Sequence, residues 1–208
     1  MRTRREQIED EASALFAARG YAATSMRDIA KALDLQGGSL YAHILSKEAL
    51  LAAIVQQASE RFHGAVRPLA DGPGTAPERL RAMLAAHVQV VTEAPSKAKV
   101  FLFEWTFLGP ARREQVALAR DAYQAHFERV LAEGRTAGEL AQGEADPKLA
   151  ATYLLSALNG IAHWYRPDGP LTPGEIADRY AGLFLHGVEQ PAPVATGIGT
   201  GIGTGGTR

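Results

Sequence analysis

Cysteine is absent from the 208 residues, which excludes disulfides, thiol nucleophiles and cysteine-based zinc sites and leaves compartment undetermined. No apolar run approaches the roughly eighteen residues that a membrane span needs. The Arg-rich start is followed by no signal-peptide core, so no membrane partner and a cytoplasmic location are expected. Charge of one sign is lacking too: 22 Lys and Arg stand against 23 Asp and Glu, which excludes a general polyanion binder. Even the first 48 residues balance, with Arg2, Arg4, Arg5, Arg19, Arg27, Lys31 and Lys47 facing Glu6, Glu9, Asp10, Glu11, Asp28, Asp34 and Glu48. A nucleophile elbow, a metal motif and a supported phosphate loop are all missing. His87 with Glu104, or His163 with Glu175, are the acid–base pairs that an enzyme would have to use. They stand without any of these companions, so no catalytic residue, metal or cofactor is expected.

Strand patterns are also missing, and the chain reads as all-α with about nine helices. A 46% hydrophobic content over this length suffices for one small module plus a larger helical domain. Ile8, Ala12, Leu15, Phe16 and Tyr21 form the apolar side of a first segment. Ser25 with Asp28 makes an acidic capping box, and Met26, Ile29, Ala30 and Leu33 repeat at helical spacing behind it. Asp34 supplies the left-handed residue of a sharp turn, with Leu35 plugging it. Gly37, Gly38 and Ser39 open a second short helix through Leu40, Tyr41 and His43, and Ser46 caps the next. Two short helices around a tight polar turn are the layout of a helix-turn-helix, whose second helix enters the DNA major groove.

Further helices are expected from Ser46 to about His63, Glu78 to Glu93, Ser96 to Leu108, Ala111 to about Thr136, Asp146 to about Arg166 and Thr172 to about Glu189. Pro147 and Pro173 mark two starts, and a Pro/Gly-rich linker is expected from Arg67-Pro68 to Ala76-Pro77. The domains therefore divide as 1–47 for DNA binding, 48–190 for ligand binding and dimerisation, and 191–208 as a disordered Gly/Thr-rich tail. Gly201, Gly203 and Gly206 match a dinucleotide fingerprint by spacing alone, without the strand and helix it requires.

The first fifty residues resemble the TetR-type transcriptional regulators. The resemblance rests on Ile8, Ala12, Leu15-Phe16, Gly20-Tyr21, Thr24-Ser25, Asp28-Ile29-Ala30, Gly38-Ser39-Leu40-Tyr41, His43 and Ser46-Lys47-Glu48, in order and at spacing. Two departures stand out: Asp34 where the family usually has Gly, and Gln36-Gly37 where it has Ser and a polar residue. The resemblance implies a repressor bound to double-stranded operator DNA as a homodimer. Candidate recognition contacts are Ser39, Tyr41 and His43, with Gly38 allowing close backbone approach. Thr24, Ser25, Arg27 and Lys47 are candidate phosphate clamps, and the arm Arg2, Arg4 and Arg5 is placed to reach along the DNA. For Tyr41 the alternative is packing against the first helix.

Met83, His87 and Val91, Phe103, Glu104 and Phe107, and Tyr123 and Phe127 lie on apolar helix stripes that suit either a core or a ligand cavity. His87 and Glu104 are ionisable groups on such faces, where burial without a partner is costly. They bond one another, a backbone carbonyl or a ligand. Leu155, Leu158 and Ile161 with Tyr180, Leu183 and Phe184 suit a four-helix dimer interface, or an intramolecular helix pair. The stretch from Leu158-Asn159-Gly160-Ile161 through His163-Trp164-Tyr165-Arg166-Pro167 to Leu183-Phe184-Leu185-His186-Gly187 resembles the TetR branch released by acyl-CoA thioesters. This implies a small apolar effector, an acyl-CoA among the candidates. A regulator that binds a protein partner and no ligand is the competing class.

Overall fold

The computed structural model describes residues 3–35, 40–141 and 146–188. Among these residues there are eight α-helices and no strand. Helix α1 (Arg4–Arg19) starts at a Thr3/Glu6 capping box, and α2 (Met26–Ala32) at the Ser25/Asp28 box expected from sequence. Asp34 takes φ +54°, the left-handed conformation that its short polar side chain tolerates. Leu35 then packs against the core. Leu40 and Tyr41 are helical; Gln36 to Ser39 lie outside the described residues, as does the tail from 189.

Helix α3 (Lys47–Ala70) begins at the Ser46 cap and runs 24 residues, about 36 Å at ~1.5 Å per residue. It passes straight through Pro68, so the expected linker begins only at Asp71. Tertiary contacts overrule the proline: Val66 and Ala70 are fully buried, and the terminal Ala70 carbonyl accepts from Arg79 Nη1 at 3.0 Å and Arg129 Nη2 at 3.2 Å. Those two guanidinium groups satisfy an acceptor that the helix end leaves open.

Helices α4 (Ala76–Glu93), α6 (Pro110–Thr136), α7 (Pro147–Trp164) and α8 (Pro173–Val188) complete the larger part of the fold. Pro147 and Pro173 sit at their helix starts as expected. The expected continuous helix from Ser96 to Leu108 is broken into three pieces. These are α5 (Pro95–Lys99), a π-helical turn over Val100–Glu104 and a 3₁₀ turn over Trp105–Phe107. The wider π turn takes one extra residue, which rotates everything after it away from the face that a 3.6-residue period assigns. Val100, Phe101 and Leu102 face the core, while Glu104 and Phe107 turn toward α1 and the helix-turn-helix.

Candidate functional site: a helix-turn-helix and a cavity

Ile8, Ala12, Phe16, Ile29, Leu40 and Leu50 are all fully buried, so α1, α2, the segment at Leu40 and the start of α3 share one small core. On its outside, Tyr41 (55% exposed) and His43 stand free in solvent, as does Arg27 at the first turn of α2. Arg4 is exposed and bonds Gln7. Arg5 is committed to Glu9, a buried carboxylate that also accepts from Gln57 Nε2 at 2.6 Å, tying α1 to α3. Gly38 and Ser39 lie outside the described residues.

Three candidate clamps hold the motif together. Thr24 is buried and donates to the Gly20 carbonyl. Ser25 caps α2 through Asp28, and the two bonds from Ser25 hold the Asp28 carboxyl below its usual range. The ammonium of Lys47 donates to the carbonyls of Tyr21 (2.9 Å) and Thr24 (2.8 Å) and lies 4.1 Å from the centre of the Tyr21 ring. Lys47 is thus a brace inside the motif.

The same Tyr21 is gripped from the segment that joins α5 to α6. Glu104 Oε2 accepts from Tyr21 N at 2.9 Å, and Phe107 stacks obliquely on its ring at 5.4 Å. Lys99 donates to the Ala17 carbonyl, Lys97 pairs with Asp10, and Glu48 accepts from Gly109 N and Arg112. Glu104 and His87, both on apolar stripes in the sequence, therefore end up on different tasks.

His87 is 1% exposed, and its Nδ1 lies 2.9 Å from Tyr123 Oη; its Nε2 has no hydrogen-bond partner. Burial pushes the imidazole down to about 3 and the Tyr123 phenol well up, so both are neutral near pH 7. Both line a cavity of about 240 Å³. Phe62 of α3, Phe101 and Leu102 of the π turn, and Leu155 of α7 supply apolar wall; Arg120, Asp121, Gln124, Thr152, Ser156 and Asn159 supply the polar remainder. Asp121, Thr152 and Ser156 are exposed and mark the side that meets solvent. The Arg120 guanidinium lies 5.7 Å from the Phe101 ring and 5.4 Å from the Trp105 ring, and burial lowers its pKa. Among the described residues it forms no ion pair. A second hollow of about 300 Å³ between α3 and α6, at Val55, Leu108 and Val116, holds no buried polar atom that lacks a partner.

Of the sequence-based ligand candidates, the fold brings His87 and Tyr123 to the cavity. Met83, Val91 and Phe127 are fully buried elsewhere in the core, with Phe127 behind Tyr123. Phe103 is displaced to the His163 ring, 4.2 Å away, and Phe107 to Tyr21. Arg120 also lines the cavity, three residues before Tyr123 on the same helix face; of Arg112, Arg113, Arg120 and Arg166, the cations that the sequence offers for a CoA phosphate, it is the one brought there. Leu155, a candidate for the dimer interface, also lines the cavity. Leu158 and Ile161 are fully buried within the protomer, and Phe184 is nearly so; Tyr180 is half-buried beside Trp164. Leu183 is 78% exposed, and Leu149, Tyr153 and Trp164 stand exposed on α7.

Comparison with known proteins fits both halves. Residues 8–54 match the family of bacterial regulatory proteins called tetR, and residues 73–188 match the tetracyclin repressor-like C-terminal domain. The HTH-type transcriptional repressor KstR2 of Mycobacterium tuberculosis is 26% identical over 189 residues, covering 90% of this chain and 94% of the relative. The solved structure of KstR2, a ketosteroid transcriptional regulator, superimposes with a TM-score of 0.86 at 25% identity, covering 92% and 97% of the two chains. AibR in complex with isovaleryl coenzyme A and operator DNA gives 0.78 at 30% identity, covering 88% and 98%. With both of its halves matched, the chain belongs to the tetR family of transcriptional regulators.

Proposed function

We propose that this protein is a homodimeric repressor of operator DNA, and that an acyl-CoA thioester entering the cavity at His87 and Tyr123 releases it. The observation that carries the reading is the shared element: α3 starts beside the exposed Tyr41 and His43 and reaches the cavity wall at Phe62. A ligand that shifts α3 therefore moves the DNA-binding motif. In a dimer, recognition helices that leave their spacing of about 34–36 Å fall out of register with the operator.

The chemistry of the cavity supports the class of effector. At about 240 Å³ it lies just below the ~300–1,000 Å³ of pockets that engulf drug-sized ligands. It suits a short acyl or aryl group, with the coenzyme extending past Thr152 and Ser156 to solvent. Arg120, unpaired among the described residues, offers the positive charge that a CoA phosphate needs. The complex of the structural relative AibR with isovaleryl coenzyme A supports the same class.

The test is titration of the operator complex with acyl-CoAs from acetyl to octanoyl, branched chains included, beside free CoA and the free acids. Release by thioesters that strengthens with chain length until the cavity fills, at about 0.8 kcal/mol per buried methylene, is the expected result. Indifference to every chain length would point to a different apolar ligand or to none.

A further inference from the structure

We infer that the inner wall of this cavity reads an uncharged carbonyl oxygen of the effector through the Nε2–H of His87, so that the site selects a thioester or ester over the same chain lacking that oxygen. The inference rests on the reading of the cavity as the effector site and deepens it by naming the group recognised and the atom that recognises it.

The hydrogen count of the His87–Tyr123 pair assigns the donor. The Tyr123 phenol is buried, and among the described residues its only hydrogen-bond partner is His87 Nδ1. A neutral imidazole carries one N–H. If Nδ1 carried it, the phenol hydrogen and the Nε2 lone pair would both be left unsatisfied. If the phenol donates to Nδ1, every group of the pair is matched except one, the Nε2–H, which is the buried atom that lacks a partner. The tautomer follows from the network, and it leaves an unpartnered, buried donor on His87, one of the residues that line the cavity. What completes it is an acceptor.

The surroundings decide which acceptor. Phe62 lies against His87 with ring centres 5.0 Å apart and stacks on Phe101 at 5.2 Å, so the donor sits in an apolar frame. The imidazole is held neutral there, as its lowered pKa indicates. A carboxylate against this wall would be buried beside a neutral donor, a costly arrangement. A thioester carbonyl needs one hydrogen bond and brings no charge, while Arg120 meets the anionic end.

The test compares the most effective acyl-CoA of the chain-length series with the thioether of the same carbon skeleton, in which S–CH₂ replaces S–C(=O). Affinities are measured by calorimetry on wild type and on the His87→Phe/Tyr123→Phe double variant. That variant removes both partners together, so it orphans neither. Wild type is expected to bind the thioester about tenfold more tightly, the value of one buried hydrogen bond, and the double variant to bind the two ligands equally. Equal binding by wild type would overturn the carbonyl assignment while leaving the acyl-CoA reading intact, and this arm does not depend on how the variant folds. Persistent discrimination by the double variant would overturn it too, by showing that another donor reads the oxygen. Binding of neither ligand to wild type would overturn both readings.

Discussion

Lys47 shows how one side chain is drawn away from the role its position suggests. A cation at a helix start beside a recognition segment is placed to meet phosphate, yet its donors are taken by the Tyr21 and Thr24 carbonyls. Charge-assisted bonds of this kind contribute about 1.5–3 kcal/mol each. Lys47→Met is therefore expected to destabilise the protein by roughly 2 kcal/mol and to leave the salt dependence of operator binding unchanged. Arg27→Ala, at an exposed position, is expected to leave the melting temperature unchanged and to reduce the log–log salt slope by about 0.9 for each phosphate that is no longer neutralised. Melting curves and salt titrations of both variants distinguish the roles. A reduced slope with unchanged melting in Lys47→Met would put Lys47 on the DNA. The sequence makes such a residue a candidate through its position, but it does not reveal that two carbonyls 23 and 26 residues earlier claim it.

Among the elements, the π turn over Val100–Glu104 has the most particular placement. Phe101 and Leu102 line the cavity at one end, and Glu104 holds the backbone of Tyr21 at the other. Glu104→Ala is expected to preserve thioester affinity for the DNA-free protein and to weaken the effect of thioester on operator affinity by about tenfold, a coupling of about 1.4 kcal/mol. Calorimetry with fluorescence anisotropy on labelled operator measures both; full coupling in the variant would assign transmission to α3 alone. The elements differ in how plainly the sequence announces them. The Ser25/Asp28 box, the Ser46 cap, the Pro147 and Pro173 starts and the left-handed Asp34 each use local chemistry, and each is legible. The π turn is not, because Val100, Phe101, Glu104, Phe107 and Leu108 fit a 3.6-residue stripe as written in the chain. The cavity is legible only in part: His87 betrays itself as an ionisable residue on an apolar face. Phe62, Arg120 and Thr152 meet there because five separate segments of the chain leave a gap, and no local pattern records a gap.

For the whole molecule, the proposed function requires two motifs at fixed spacing and a signal that disturbs it. Leu149, Tyr153 and Trp164 recur along one side of α7 and, with Leu183 of α8, leave apolar surface exposed on the protomer. Leu183→Glu alters an exposed position, so helix content is expected to persist while light scattering shows monomers and operator affinity falls. A dimer of unchanged stability would place the interface elsewhere. Phe184→Glu, by contrast, would place a charge in the core of the protomer and confuse misfolding with dissociation. The central claim is that occupancy of the cavity at His87 and Tyr123 governs DNA binding. Its most direct measurement is the operator affinity of Ser156→Phe, with an aromatic ring introduced at the cavity lining, with and without the most effective thioester. The account predicts that operator affinity no longer changes when thioester is added; release at the same thioester concentration as wild type would contradict it.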